Sequence, residues 1–217
     1  MRTSRISDIA DRQSTADLIY PLRKDDHMPK FNYFDSLERL ALLSSRAVFI
    51  ACSPAKPSAQ NETAAIRHCA DKAVCELERV LFADFMPPLE RSSISACAHS
   101  LVRIIERCTD ITNYRTAKNF FGEKKNKEAE LCIRLSQLIE ENMIRLRHIK
   151  HPEELPDMVG FRKVVCDARN AHTSTQKKLN SGVYPRSAQH SLYLIGKLRC
   201  ELSRAFDDLI EIMLTNI

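Results

Sequence analysis

The sequence has few of the residues on which tight turns depend. Only 4 of its 217 residues are glycine, and tryptophan is absent. So few glycines argue against a sheet-rich or Rossmann-type fold, which needs many turns. No convincing alternation of apolar and polar residues is present, whereas apolar residues recur at spacings of three and four along most of the chain. The sequence therefore predicts an all-α protein.

Long apolar runs are also missing. The most apolar stretch, LALLSSRAVFIAC, is interrupted by Ser-Ser-Arg and falls short of the roughly 18 apolar residues that indicate a transmembrane helix. The opening MRTSRISDIADRQSTADLIY contains no apolar run long enough for a signal peptide. With 44% hydrophobic and 28% charged residues, the composition is typical of a soluble globular protein. We expect a cytoplasmic protein with no direct membrane insertion.

The cysteines do not form the pairs that mark zinc knuckles or redox motifs. All 8 stand singly, with no CxxC, mostly among apolar residues at helical spacing. This pattern predicts buried free thiols that act as small hydrophobic residues in a reducing compartment. The residues concerned are Cys52, Cys69, Cys75, Cys97, Cys108, Cys132, Cys166 and Cys200.

Catalytic and nucleic-acid-binding signatures are lacking. There is no GxSxG, no glycine-rich phosphate loop and no HExxH, and the 7 histidines are scattered. The formal charge is +5, but the basic residues alternate with acidic ones everywhere except in EKKNK, and no stacking aromatic residues accompany them. We therefore predict that the protein is not an enzyme and does not bind nucleic acid. The sequence assigns no cofactor firmly, and iron or zinc is the only one considered below.

Apolar periodicity and helix breakers predict six helices. Residues 1–30 have few large apolar side chains, so we expect a disordered extension, and translation could start at Met1 or at Met28. The predicted helices run approximately from Asp35 to Cys52, Asn61 to Ala83, Leu89 or Glu90 to Phe121, Lys125 to Lys150, Pro156 to Asn180, and Arg186 to Thr215.

A proline pair in LFADFMPPLERSSI separates the second helix from the third. Proline cannot continue a helix but suits the start of the next one. The segment SGVYPRSAQ stands at the corresponding place before the sixth helix. The sequence thus predicts two tandem three-helix repeats, about 31–122 and 123–217, that share one core in an elongated bundle over 31–217.

Four segments in this order resemble the PhoU-like phosphate-transport regulators, in particular the branch found with Pit-type phosphate transporters: FDSLERL, IRHCADKAVCELERVLF, FMPPLERSSI and LVRIIERCTDITNYRTA. The resemblance covers Met28 to Ile217. Three of the four positions of a HEAD motif are matched by His68, Ala70 and Asp71. The family's F-x-T-P-x-D-R-E-D-I turn is in register with Phe85, Pro88, Glu90, Arg91 and Ile94. The resemblance implies a fold of two tandem three-helix repeats.

It also implies metal clusters held by E/D-x-x-x-D motifs on the bundle surface, but here the motifs are degenerate. Arg67 replaces the acid four residues before Asp71, Arg103 stands where an aspartate is expected, and Arg169 does so in the second repeat. The last helix retains Glu201, Asp207 and Asp208. The carboxylate set is thinned, and arginines would repel a cation.

Five donors could still form a metal site. On the second helix His68, Asp71 and Cys75 have i, i+3, i+7 spacing and share a face, and Glu106 and Asp110 form an i, i+4 pair on the third. Such a set suits zinc or iron. The alternative is that His68 and the carboxylates are solvated surface groups and that Cys75 belongs to the core.

The resemblance implies a non-enzymatic regulator of phosphate uptake that binds the cytoplasmic face of a phosphate transporter, or a sensor protein, and is peripheral to the inner membrane through it. Arg67, Arg103 and Arg169 form a predicted face for an anion or an acidic partner. Two alternatives stay open, a metal-binding helical bundle and an interaction scaffold unrelated to phosphate. Exposed helical faces also allow a homodimer.

Overall fold

The computed structural model describes residues 31–54, 56–115, 127–182 and 186–215. Within these ranges it contains six α-helices and no strand, which confirms the predicted all-α helical bundle. In the part of the chain that is described, no helix is both long enough and apolar enough to cross a membrane. The helices are α1 (Tyr33–Cys52), α2 (Ala59–Ala83), α3 (Arg91–Arg115), α4 (Lys127–Leu146), α5 (Met158–Asn180) and α6 (Arg186–Thr215).

The observed helix ends lie within a few residues of the predicted ones where both can be compared. The predicted extension 1–30, the predicted end of the third helix at Phe121 and the predicted start of the fourth at Lys125 lie outside the described residues. The fourth helix ends at Leu146 rather than Lys150, and a short 3-10 helix, Pro152–Glu154, follows.

Side-chain caps fix the start of two helices. At α1 the Asn32 Oδ1 accepts hydrogen bonds from the backbone N–H groups of Phe34 (3.1 Å) and Asp35 (3.3 Å). At α5 the Asp157 Oδ1 accepts from Val159 (3.1 Å) and Gly160 (3.0 Å). These bonds satisfy N–H groups that have no partner inside the helix.

The proline pair lies in the connection between α2 and α3, as predicted, and this turn is braced by side chains. Asp84 Oδ1 accepts from the Met86 N–H (3.1 Å), and its Oδ2 accepts from the Tyr33 hydroxyl of α1 (2.9 Å). The Arg91 guanidinium donates to the carbonyl oxygens of Asp84 and of Phe85. The turn is therefore tied to both α1 and α3.

The six helices contact one another in the same way in each half of the chain. Helices α1, α2 and α3 are in mutual contact, and so are α4, α5 and α6. The halves are joined by α1 with α4 and by α3 with α6. Among the described residues, α2 and α5 contact only helices of their own half, so α1, α3, α4 and α6 enclose the centre of the core.

The predicted apolar stripes face this core. Leu37 and Leu40 of α1, Ile104 of α3 and Leu198 and Leu202 of α6 are fully buried. The prediction of buried free thiols is right for Cys52, Cys97, Cys108 and Cys132, and all eight cysteines are free. It is wrong for Cys69, Cys75, Cys166 and Cys200, which are exposed because they lie on the solvent side of the helices that carry them.

Candidate functional site

The predicted site residues lie on helices that adjoin in the order α2, α3, α6, α5. An ion pair joins each neighbouring pair of helices in this series. We call the side chains that make these contacts the ion-paired face: Arg67, Asp71, Arg103, Glu106, Arg107, Asp110, Arg169, Glu201, Arg204 and Asp207. The face is neither an array of free carboxylates nor an array of free arginines.

Between α2 and α3, Arg67 lies next to two of the predicted metal ligands. Its Nη2 is 3.1 Å from Glu106 Oε1, and its Nε is 4.0 Å from Asp71 Oδ2. The guanidinium therefore stands where a cation bridging these carboxylates would have to approach. All three side chains are well exposed, and such pairs contribute at most about 1 kcal/mol to stability.

The other three predicted ligands do not complete a metal centre. His68 and Cys75 are exposed on α2, and Asp110 pairs with Arg107 of its own helix at 3.1 Å. No group of three or more His, Cys, Asp or Glu side chains within the described ranges is placed to hold a metal ion. A zinc or iron site stays a prediction, while the alternative assignment of Cys75 to the core is wrong because this thiol is exposed.

Between α3 and α6, one carboxylate is shared by three arginines. Glu201 Oε2 is 2.7 Å from Arg204 Nη1 and 3.4 Å from Arg103 Nε, and Glu201 Oε1 is 4.0 Å from Arg107 Nε. The Glu201 side chain is only 12% exposed. The Nε atoms of Arg103 and Arg107 are buried and have no hydrogen-bond partner among the described residues. Arg107 has a second partner in Asp110 (3.1 Å), and Arg103 Nη2 donates to Ser100 Oγ, whose hydroxyl in turn donates to Asp208.

Between α5 and α6, Arg169 Nη2 is 2.5 Å from Asp207 Oδ2. Each arginine of the predicted anion face therefore has a carboxylate partner: Glu106 and Asp71 for Arg67, Glu201 for Arg103, and Asp207 for Arg169. An external anion would have to compete with these carboxylates. Binding of an anion by these three arginines remains a prediction.

A buried ion pair that the sequence analysis missed joins α4, α5 and α6. Arg199 of α6 is 1% exposed and donates through Nη1 to Glu128 Oε2 of α4, while the Thr175 hydroxyl of α5 donates to Glu128 Oε1 (2.7 Å). Burial lowers the pKa of Arg199. The signal was available in the sequence, because Arg199 is spaced i+4 from Ile195 and i−3 from Leu202 on the apolar stripe of α6.

Three core thiols, those of Cys97, Cys108 and Cys132, are not nucleophiles near neutral pH. Burial raises the pKa of Cys97 to about 12, and burial followed by the neighbouring Cys52 raises the pKa of Cys108. A side-chain hydrogen bond with Cys52, together with burial, raises the pKa of Cys132. Only the thiolate attacks electrophiles or binds metals, and these groups stay protonated.

Three large apolar side chains are exposed at the end of α2 and in the turn that follows it. Phe82 is 84% exposed, Phe85 is 90% exposed and Met86 is 78% exposed. We call residues 82–88 the FMPP turn. Three large exposed apolar side chains within five residues of the chain make this turn a candidate for a surface that another molecule covers.

No protein-family model and no curated protein matches the sequence. The resemblance to PhoU-like regulators therefore stays a prediction that depends on the segments quoted above. The described residues add three physical features, namely the ion-paired face, the braced FMPP turn and the buried Arg199.

Proposed function

We propose that this protein is a non-enzymatic regulator of phosphate uptake that binds a Pit-type phosphate transporter, or the transporter's signalling partner, on the cytoplasmic side of the membrane. The resemblance supplies the transporter, and the FMPP turn is the observation that supports docking. Exposure of Phe82, Phe85 and Met86 to water is unfavourable, and a partner that covers them would gain the free energy of burying them. Buried aromatic side chains supply much of the affinity of many binding sites.

The turn is suited to docking because its backbone is held in place before binding. Asp84 is bonded to Tyr33 of α1 and to the Met86 N–H, and Arg91 of α3 holds the carbonyl oxygens of Asp84 and Phe85. A preorganised turn loses little conformational freedom on binding. A partner could then gain most of the free energy of burying the apolar side chains.

Binding would regulate the transporter only if the turn favours one transporter state over another. A partner shifts a conformational equilibrium by the ratio of its affinities for the two states. The ion-paired face, with charges of both signs, would contribute orientation and specificity more than affinity. The protein would therefore sit at the membrane through its partner.

The test is to substitute the turn and measure capture of the transporter. We expect the double variant Phe85→Ser/Met86→Ser to reduce copurification of the Pit-type transporter from the same cells at least tenfold and to change the initial rate of phosphate uptake. Phe49→Ser is the matched control, because Phe49 is an exposed aromatic residue 16 positions from Tyr33 on α1, about 24 Å along the helix.

Three other outcomes have definite meanings. Undiminished capture by the double variant would contradict docking through the turn. Loss of capture of a different protein, with phosphate uptake unchanged when the whole gene is deleted, would favour the interaction scaffold unrelated to phosphate. Dimerisation through the turn would appear as a twofold fall in sedimenting mass in the double variant.

A further inference from the structure

The outer side of α1 carries a row of four exposed side chains in which arginines alternate with large apolar residues. Arg39, Leu42, Arg46 and Phe49 are all exposed, Leu42 to 54% and Phe49 to 58%. Successive members of the row are three, four and three residues apart, so they lie along the same side of the helix. We call these four side chains the outer stripe of α1.

The charge of the outer stripe is of one sign. The other two charged residues of α1, Asp35 and Glu38, are both held by Arg147 of α4. Arg39 and Arg46, by contrast, form no ion pair or hydrogen bond with any residue in the described ranges. The exposed side of the neighbouring α4 carries charges of both signs, so the single sign is a property of α1.

The spacing of the outer stripe suits contact with a second helix. Apolar residues seven positions apart, with further residues at intervals of three and four between them, are the pattern by which two helices pack along one another. Leu42 and Phe49 have this separation. Since Arg39 and Arg46 are without carboxylates, a helix that packs here gains most if it brings acidic residues to them.

Two other occupants fit the outer stripe less well. A helix that lies in a membrane surface separates its apolar face from its charged face, whereas here Arg46 stands between Leu42 and Phe49 in one row. A second copy of this chain would bring the same arginines to the contact and no unpaired carboxylate of α1, which opposes association. The charge and the spacing together therefore favour an acidic helix of another protein.

We propose that the outer stripe of α1 binds an amphipathic helix of a partner protein in which acidic and apolar residues alternate at spacings of three and four. The carboxylates of that helix pair with Arg39 and Arg46, and its apolar side chains cover Leu42 and Phe49. The proposal goes beyond the proposed function, because this partner is not the transporter that binds the FMPP turn. Phe49→Ser therefore keeps its place as the control for transporter capture.

The test is fluorescence anisotropy of the full chain with two labelled synthetic peptides of three heptads each. In one peptide, glutamate and leucine alternate at spacings of three and four among alanine and glutamine residues, and in the other lysine replaces each glutamate. We expect the glutamate peptide to bind at least tenfold more tightly than the lysine peptide at low salt, where charge pairing is least screened.

Variants of the outer stripe assign this preference to its residues. Arg39→Glu/Arg46→Glu should reverse it, and Leu42→Ser should weaken binding of the glutamate peptide about tenfold, because an apolar contact is lost. The matched control is Arg79→Glu/Arg162→Glu, which reverses two exposed arginines of α2 and α5 that likewise form no ion pair among the described residues. It makes the same change in net charge and should keep the wild-type preference.

Equal affinity for the two peptides would overturn the proposal, as would a preference for the glutamate peptide that survives Arg39→Glu/Arg46→Glu. Cosedimentation with vesicles of phosphatidylserine and phosphatidylcholine, lost in Leu42→Ser and without peptide binding, would replace it with a membrane surface. A dimer in sedimentation equilibrium that Leu42→Ser dissociates would replace it with a second copy of this chain. Because no transporter is present in these assays, their failure leaves the proposed function untouched, and failure of transporter capture leaves the outer stripe untouched.

Discussion

At the scale of single residues, three arginines of the ion-paired face each pair with a carboxylate of a neighbouring helix. Arg67, Arg103 and Arg169 were noted because they stand where the resemblance expects acids. Their pairing with Glu106, Glu201 and Asp207 depends on which helices adjoin, and residues far apart in the chain come together only in the fold. A periodicity argument assigns a residue to a helix face but does not identify the neighbouring helix.

Arg199 shows the same limit for a buried residue. The sequence places Arg199 on the apolar stripe of α6, but its role depends on Glu128 of α4 and Thr175 of α5. A buried charge without a partner is strongly unfavourable, whereas a buried pair is near neutral relative to an apolar replacement. This asymmetry gives a direct test.

The substitution Glu128→Leu should lower the free energy of unfolding by about 3 to 5 kcal/mol, because it leaves the Arg199 guanidinium buried without its carboxylate. Adding Arg199→Met should restore most of that loss. Urea unfolding followed by circular dichroism measures both. Glu130→Gln, which changes an exposed carboxylate two residues away on α4, is the control and should alter stability by less than about 0.5 kcal/mol. A double variant no more stable than Glu128→Leu would contradict the pairing.

At the scale of helices, the spacing of apolar residues predicts where helices occur, whereas backbone hydrogen bonding and proline determine where they end. The sequence predicts that the fourth helix reaches Lys150, and Ile149, next to that predicted end, is buried. Its N–H, however, bonds to the Leu146 carbonyl three residues back, in a tighter turn that precedes Pro152. The spacing of apolar residues predicts which side chains are buried, but it does not show whether the backbone around them is still α-helical.

The N-terminus of α5 couples two residues in a way that helix propensity alone would misjudge. Asp157 caps the helix, and a Cβ added at Gly160 would collide with the Asp157 carboxylate. Alanine in a helix is normally favoured over glycine by about 1 kcal/mol. Here the added methyl group would displace the cap that holds the first turn.

We expect Gly160→Ala to leave stability unchanged or lower it in the wild-type chain, and to raise it by about 1 kcal/mol in an Asp157→Ala background, where the cap is already absent. Asp157→Ala alone should cost about 1 kcal/mol, and Asp157→Asn much less, because asparagine also caps. Urea unfolding of the four variants closes a double-mutant cycle. Equal effects of Gly160→Ala in both backgrounds would show that the methyl group and the cap do not interact.

At the scale of the whole molecule, two sequence halves share one core. The prediction of a common core came from apolar faces too numerous for three helices to bury. That α3 meets α6 and that α1 meets α4 could not be predicted, because these four helices each offer a similar stripe of buried aliphatic side chains. One consequence is that thiols from different helices come together in the interior. There Cys52 of α1 raises the pKa values of Cys108 of α3 and Cys132 of α4.

These buried groups make the stability of the whole molecule sensitive to alkali. Burial raises the pKa of Cys97 from 9.0 to about 12, the pKa values of Cys108 and Cys132 are also raised, and burial with the hydrogen bond to Asp84 raises the pKa of Tyr33 from 10.0 to about 12. Between pH 9 and pH 12 the folded chain therefore holds protons that the unfolded chain has released. Since the native state binds more protons in this window, the free energy of unfolding falls as pH rises.

The fall should approach about 1.4 kcal/mol per pH unit for each group that is ionised only when unfolded. Urea unfolding at pH 7.5, 9.5 and 10.5 under reducing conditions measures it, with full stability expected at the lowest pH. Cys97→Ala should lower stability at every pH by leaving a small cavity. It should also make the fall of the free energy of unfolding with pH shallower, because one ionisable group no longer contributes to it. Ile104→Val, a comparable loss from the core of α3 with no ionisable group, should keep the wild-type slope. If the Cys97→Ala slope equals that of Ile104→Val, the Cys97 thiol does not contribute, and the alkaline loss of stability must come from other groups with raised pKa values, such as Tyr33, Cys108 and Cys132.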